Sequence, residues 1–378
     1  MANADPVARD QCFLDWGAIQ DTCHARLSTQ RHTSALSAWQ TWSTFCSSLG
    51  VQPYRPPDTD YIPLLQLFAQ RYRDGTIAPG RQPVRSRTVE EALRAVGQAH
   101  ARLGSADPRL NARGKVEFRL ASLLQAWKKA DAPPQHRVRP LPLPVVVQVW
   151  ALAQGESTPL AQAAASCLIT GFFFLLRPGE YLGNPARRGA HMFRMQDVQF
   201  WIGSRALNLF TCPAADLQAA TFVTLTFTQQ KNGVRNERIG HGRSGHPSLC
   251  PVTALASRVL TLREQGATAE TTLNAVRPTH SSPFRHISPS HLTSRIRAVL
   301  HLHPDPAYTL ADVSVRSTRA GGAMALLSAG VDSDILRMVG RWKSADEMFR
   351  YLHVQAHPIM NGLAAAMLNG GDFRLTPT

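Results

Sequence analysis

The sequence predicts a mainly α-helical protein, in which a small helical bundle is followed by an α+β domain with a small antiparallel sheet. Three observations lead there. Apolar residues recur at three- and four-residue spacing through most of the 378 residues. Period-two alternation is confined to the region around residues 198 to 228. A proline-rich stretch divides the chain, whose length suits two cores better than one.

After a polar arm over residues 1 to 30, Leu36, Trp39, Trp42, Phe45 and Leu49 mark a first helix that stops at Gly50. A second pattern runs from Tyr61 to Tyr72. A third begins at Thr88, whose hydroxyl fits a capping box with Glu91, and ends near Gly104. A fourth covers Lys115 to Ala130. Residues 31 to 130 therefore read as the bundle, and it carries Arg71, Arg73, Arg85, Arg87, Lys128 and Lys129 as candidate phosphate contacts.

The stretch "DAPPQHRVRPLPLP", residues 131 to 144, holds five prolines, which remove backbone donors and favour extended geometry. It reads as a linker, and its Arg137 and Arg139 can lie along a phosphate backbone. The second domain, residues 145 to 378, opens with helices near 145–154 and 160–176. Strand-like sequence follows from Val198 to Leu209 and from Phe222 to Thr228, where Val223, Leu225 and Phe227 alternate with threonines. Asn232-Gly233 is a strong hairpin signal and puts Lys231 at a hairpin tip. Helices are then expected near 250–264, 289–300, 315–329, 333–340, 344–352 and 357–368.

Charge narrows the function. The chain has 41 Lys plus Arg against 26 Asp plus Glu, a net +15 and a pI near 10.3. Up to residue 140 there are 19 basic and 12 acidic residues, and beyond it 22 and 14, so the excess is no tail. Nucleic acid is the first partner such a chain suggests, with an anionic membrane surface or a merely soluble basic protein as the other readings. The six cysteines, Cys12, Cys23, Cys46, Cys167, Cys212 and Cys250, show neither metal-site nor disulfide spacing and point to a reducing compartment. His301 and His303 lack further ligands at metal-site spacing, so no metal and no cofactor is expected. The run from Leu160 to Leu176, interrupted by Gln162, Ser166 and Thr170, reads as a buried helix rather than a membrane span.

Several motifs carry possible chemistry. In "GFFFLLRPGEYLG", Arg177 follows an apolar run that Pro178-Gly179 is expected to stop, which holds the guanidinium rigid for a phosphate; capping the helix or pairing with Glu180 is the plainer reading. In "SVRSTRAGGAMALL", Arg316 and Arg319 stand three apart on one face of a helix start, where backbone N–H groups also favour an anion. Gly321 and Gly322 there suggest close approach of another backbone or of DNA, with Met324, Leu326 and Leu327 holding the helix in the core. In "VGRWKSADEMFRYLH", Ser344 and Glu347 form a capping box, placing Tyr351 about two turns into a short helix, where a core role is the plainer reading.

Taken together, Arg177 in "LLRPGE", Lys231 on a hairpin, Arg316-x-x-Arg319, "GRW" and Tyr351 nine residues after Trp342 resemble, in the same order, the catalytic set of the tyrosine recombinases. The wording "TRAGGA", "GRWKS" and "FRYL" is most similar to the recombinases of Crypton and DIRS-type mobile elements. The resemblance covers residues 30 to 360. It implies a SAM-like core-binding domain, a linker and a catalytic domain, and an enzyme that cuts and rejoins DNA through a 3′-phosphotyrosyl intermediate without metal or ATP.

In that scheme Arg177 and Arg319 hold the scissile phosphate, Lys231 protonates the leaving 5′-oxygen and Tyr351 is the nucleophile. Trp342 donates its indole N–H toward the phosphate, and Glu180 orients Arg177. One departure matters: Arg316 stands where the family has histidine, and a guanidinium, with no lone pair to accept a proton, is no general base. Either Arg316 is a third phosphate donor while water, His353 or the DNA takes the tyrosine proton, or the site is weakened or dead. The intact remainder of the set favours activity.

The partners so implied are double-stranded DNA and further copies of the chain, as dimers on half-sites and a tetramer for strand exchange, with the last helix docking on a neighbour or on its own domain. No membrane is expected. The location implied is the nucleus if the source is eukaryotic, and otherwise the cytoplasm with the nucleoid. A domesticated DNA-binding protein of the same fold is the alternative, and a type IB topoisomerase the third reading.

Overall fold

A computed structural model describes residues 15, 29–54, 59–132, 139–183, 192–228, 230, 235–246, 248–279, 281–304 and 308–352. The chain forms two compact units, residues 1–135 and 136–378. The architecture is mainly α-helical with a small antiparallel sheet, as the apolar spacing predicts.

The first unit is a bundle of α1 (Thr29–Ser48), α2 (Ile62–Arg73), α3 (Ser86–Arg102) and α4 (Phe118–Ala130). Trp42, Phe45, Leu65, Phe68, Val89, Leu93 and Leu120 fill its core, with Trp42 edge-on to Phe68 at 5.2 Å. Helix α3 starts two residues before the expected Thr88–Glu91 box. Its first residue, Ser86, donates its N–H to Asp131 Oδ2 at 2.8 Å, so a carboxylate 45 residues away satisfies the helix start and leaves Thr88 exposed.

The second unit begins with α5 (Leu143–Glu156), inside the range assigned to the linker. Just before it, Leu141 is buried and its N–H donates to Ser317 O at 3.0 Å, so this end of the proline stretch is packed rather than free. Helix α6 (Pro159–Phe173) is capped by the Thr158 hydroxyl, and ten of its residues are buried. It is a core helix, and among the described residues no helix is long and apolar enough to cross a membrane. It ends at Phe173, earlier than expected. The chain then turns through Leu175 at φ +49°, and Pro178 opens the short α7 (Pro178–Tyr181) rather than stopping α6.

The sheet holds β1 (Val198–Ile202), β2 (Arg205–Leu207), β3 (Phe222–Phe227) and β4 (Glu237–Gly242) in the order β2-β1-β3-β4, all antiparallel. The single strand expected from Val198 to Leu209 is two strands reversed at Gly203, φ +57°. Phe200 pairs with Val223 and Leu225 with Ile239, and these four point into the core. After α8 (Ala214–Ala219), α9 (Pro251–Glu264), the two-residue strands β5 (Ala275–Val276) and β6 (Arg285–His286), and α10 (Pro289–Leu302), three helices close the described chain. They are α11 (Val315–Ser328), α12 (Ser333–Gly340) and α13 (Ala345–Leu352). The expected helix near 357–368 and the Asn232-Gly233 turn lie outside the described residues.

Candidate active site

The turn between α6 and α7 sets Arg177. Its backbone N–H donates to Glu180 Oε2 at 2.7 Å and its Nη1 to Glu180 Oε1 at 3.0 Å, so the carboxylate holds the arginine at both ends. Glu180 is buried, whereas the Arg177 side chain keeps 30% of its surface, and solvent reaches it. Pairing with Glu180, one of the readings the sequence left open, is what the structure contains.

Helix α11 starts at Ser314, whose hydroxyl accepts from Arg316 N–H at 3.2 Å. The two glycines behind it explain its depth in the fold. A Cβ on Gly321 would collide with the backbone of Leu141, and one on Gly322 with the carbonyl of Phe172. The close approach that these glycines permit is therefore of the chain's own backbone. Val315, Ala320 and Ala323 are buried with them, while Met324, Leu326 and Leu327 are only partly buried. The expectation that those three hold the helix in the core is thus corrected: the small residues do, because they let two backbone segments lie against α11.

Sunk in this way, α11 separates its two arginines. Arg319 is 2% exposed, donates Nη2 to Gly340 O, and lies with its guanidinium carbon 4.7 Å from the Trp342 ring centre. Arg316 is exposed. A two-arginine grip on one face is not what the structure holds: one arginine is enclosed in the fold and the other faces solvent.

Gly340-Arg341-Trp342 ends α12. A Cβ on Gly340 would overlap the indole ring, so glycine is required for Trp342 to fold back. Arg341 takes φ +56°, a left-handed conformation that favours glycine. Its side chain is fully enclosed, donating to the carbonyls of Phe174 at 3.1 Å, Leu175 at 3.1 Å and Val339 at 3.2 Å, and to Glu180 Oε2 at 3.0 Å. The guanidinium carbon lies 3.9 Å from the Phe227 ring centre. Burial lowers its pKa to about 10, opposed by the Glu180 charge, so it stays a cation at neutral pH. Sequence reading missed Arg341. An arginine between glycine and tryptophan looks solvated, and the positive φ that marks it is invisible before folding.

Leu175, Ala323, Leu336, Trp342, Met348 and Leu352 form one apolar cluster. It draws together the segment of Arg177, the helix of Arg319, the Trp342 turn and α13, which carries Tyr351 as its seventh residue. Ser344 caps α13, accepting from Glu347 N–H at 3.2 Å. The surroundings of the Tyr351 side chain lie outside what is described. So do Lys231, which belongs to the connection between β3 and β4, and His353.

The basic residues expected to meet DNA have varied settings. Arg73 pairs with Asp131 at 2.9 Å and stacks on Trp127 at 5.0 Å, a bond within the bundle. Arg71 is half-buried over Phe45. Arg87 pairs with Glu91 at 3.3 Å and Lys128 with Glu90 at 2.9 Å, both exposed. Arg85 and Lys129 are exposed. Arg139 is tied to Asp312 at 3.7 Å beside Tyr308, and Arg137 lies outside the described residues. Among the described residues no group of His, Cys, Asp and Glu could hold a metal ion, and His301 and His303 are exposed.

No protein-family model matches the sequence, and no curated protein does. Solved structures with a similar course include a Tn1549 transposon integrase in complex with transposon right end DNA: 11% identity, 84% of this chain and 87% of that one, TM-score 0.46. Another is the XerH site-specific recombinase bound to palindromic difH substrate, 11% identical over 82% of this chain and 73% of that one, TM-score 0.47. A third is the XerA recombinase, 14% identical over 94% and 97%, TM-score 0.36.

Proposed function

We propose that the protein is a DNA-cutting and rejoining enzyme of the tyrosine recombinase type. The observation that carries this reading is the apolar cluster of Leu175, Ala323, Trp342, Met348 and Leu352, in which segments bearing Arg177, Arg319 and Tyr351 pack together although they span residues 177 to 351 of the sequence. An arginine that solvent reaches, a buried one with a tryptophan beside it and a tyrosine on an adjoining helix suit attack on a phosphodiester.

The Tyr351 hydroxyl gives its proton to water, His353 or the DNA, its oxygen bonds to phosphorus, and the bond to the deoxyribose 5′-oxygen breaks. Arg177 and Arg319 bear the charge that builds on the non-bridging oxygens, and each such preorganised donor is worth on the order of 3 kcal/mol. Lys231 gives a proton to the leaving oxygen. The phosphotyrosyl bond conserves the energy of the cut backbone, and the reverse attack by a 5′-hydroxyl rejoins it. Arg319 is covered by Trp342 in the free protein, so engagement of a phosphate requires the indole to shift from the guanidinium.

The net charge of +15 supports duplex DNA as substrate. The wording of the motifs supports a mobile-element enzyme of the Crypton and DIRS type, acting as a tetramer on paired sites. Incubation with a nicked suicide duplex tests the reading. A covalent protein–DNA adduct is expected from wild type and none from Tyr351→Phe; no adduct from wild type on any duplex would overturn it.

A DNA-binding protein without catalysis is the second reading, favoured by Arg316, which is exposed and cannot accept the tyrosine proton. A silent wild type that Arg316→His restores to cleavage would establish it.

A further inference from the structure

We infer that Arg341 is the positioning residue of the site: it fixes the turn that presents Arg177 and shares the Glu180 carboxylate with it, so that Glu180 steers the Arg177 guanidinium without cancelling the charge it offers a phosphate. The inference rests on the recombinase reading and concerns a residue that touches no substrate, since its side chain is wholly enclosed.

Two left-handed non-glycine residues meet here. Leu175, at φ +49°, and Arg341, at φ +56°, are joined by a bond from Arg341 Nη2 to Leu175 O at 3.1 Å. Conformations of this kind persist only where the surroundings over-determine them. For Arg341 the surroundings are its own four acceptors: three carbonyls and one carboxylate. A terminator of α12 alone would be glycine, which takes that φ without strain. An arginine stands at a position that disfavours it, and its side chain is what distinguishes it from glycine.

Three of the four acceptors bear on Arg177; the fourth, Val339 O, belongs to α12 itself. Phe174 and Leu175 lie two and three residues before it, and their carbonyls are clamped by the two nitrogens of one fork. Glu180 is the residue that holds Arg177. Its Oε2 receives both Arg341 Nη2 and the Arg177 backbone N–H, leaving Oε1 to the Arg177 side chain. Two guanidiniums share one carboxylate, so the pair nearest the enclosed side is neutral and the positive charge left over belongs to Arg177, the member solvent reaches. Without Arg341, Glu180 would neutralise Arg177 and compete with the phosphate for it. The neighbours of Arg341 serve the other arginine: Gly340 O accepts from Arg319, and Trp342 covers it. One residue thus fixes the spacing between both.

Lysine keeps the charge but cannot bond three carbonyls and a carboxylate from one planar fork. Glycine fits the backbone and abolishes the side chain. Single-turnover cleavage of the nicked duplex, half-site affinity and thermal melting are measured for wild type, Arg341→Lys and Arg341→Gly. We expect cleavage to fall about 10-fold for lysine and on the order of 100-fold for glycine, with half-site affinity within about 2-fold and folded protein at the assay temperature. Cleavage at the wild-type rate in either folded variant would overturn the inference, as would parallel loss of affinity and cleavage tracking loss of folded protein in both. Absence of adduct from wild type would overturn the recombinase reading itself, and this inference with it.

Discussion

Both units carry arginines paired with carboxylates, but three buried arginines of the second unit are held in another way. In the bundle, Arg73, Arg87, Arg94 and Arg119 are paired with carboxylates at side-chain exposures from 22% to 86%. In the second unit Arg319, Arg341 and Arg258 are at most 4% exposed and bond chiefly to backbone carbonyls, with Glu180 the carboxylate among their acceptors. An exposed ion pair is worth little and can be exchanged for a phosphate at small cost. A guanidinium clamped by main-chain oxygens is set before any ligand arrives, and its position is a property of the fold. On the proposed function, the first arrangement would serve adaptable contact along a duplex and the second a fixed geometry around one reacting phosphate.

The largest test of that contrast is Arg319→Lys. It preserves charge and removes the planar fork, so cleavage of a suicide duplex should fall by about 100- to 1,000-fold while duplex affinity changes little. A rate within about 3-fold of wild type would mean that the buried arginine acts as a mere cation, and the distinction would collapse.

The fixed geometry depends on α11 lying against two backbone segments. Gly322→Ala places a methyl against the Phe172 carbonyl and should cost about 1–3 kcal/mol by denaturant titration. Gly179→Ala, on the exposed side of α7 with no atom within 4 Å of the added methyl, should stay within about 0.5 kcal/mol of wild type. Equal costs would show that α11 is not seated as described.

How much of this was legible beforehand differs between the same regions. Bundle helices were found from Trp39, Trp42 and Phe45 because a one-sided apolar stripe is written in the local sequence. The α3 start was misplaced because its true partner, Asp131, is far along the chain and no local signal names it. The segments that the apolar cluster joins were legible as motifs in order, since arginine, tryptophan and tyrosine types are themselves chemical information. Arg316 was grouped with Arg319 because burial on a helix of small residues depends on what those residues let approach, here Leu141 and Phe172, and Arg341 was missed because the positive φ that turns its side chain inward is not written in the sequence. The exposed arginine and the enclosed one stand in equally plain sequence.

Asp131→Asn probes the exchangeable side. The Asp131 carboxyl is held below its ordinary value chiefly by its bonds to Ser86, with Arg73 adding to them. A carboxyl depressed in the folded state contributes stability above its unfolded pKa of 3.8 and loses it as pH falls through the folded value. The substitution should lower the melting temperature by a few degrees at neutral pH, where a loss of about 1 kcal/mol shifts such a domain by roughly 4–8 °C, and leave it unchanged at a pH below both values. Fluorescence of Trp127, which stacks on Arg73, should follow the change. A pH-independent difference would assign the effect to shape rather than charge.

The smallest expected effect belongs to Lys129, exposed and without an ion-pair partner among the described residues. If the bundle meets DNA by exchangeable charge, Lys129→Ala removes one phosphate contact: affinity weakens by the same factor on every duplex, and the slope of log affinity against log salt drops by about 1. Cleavage at saturating DNA should not change, because nothing in the fixed site is touched. Arg73→Ala differs in kind. It breaks the bond to Asp131 and uncovers Trp127, so its loss should register in melting rather than in the salt slope. A reduced salt slope for Arg73 and none for Lys129 would reverse the division. The paired arginine would then be the one that leaves its carboxylate for the phosphate, and the unpaired lysine merely a solvated charge.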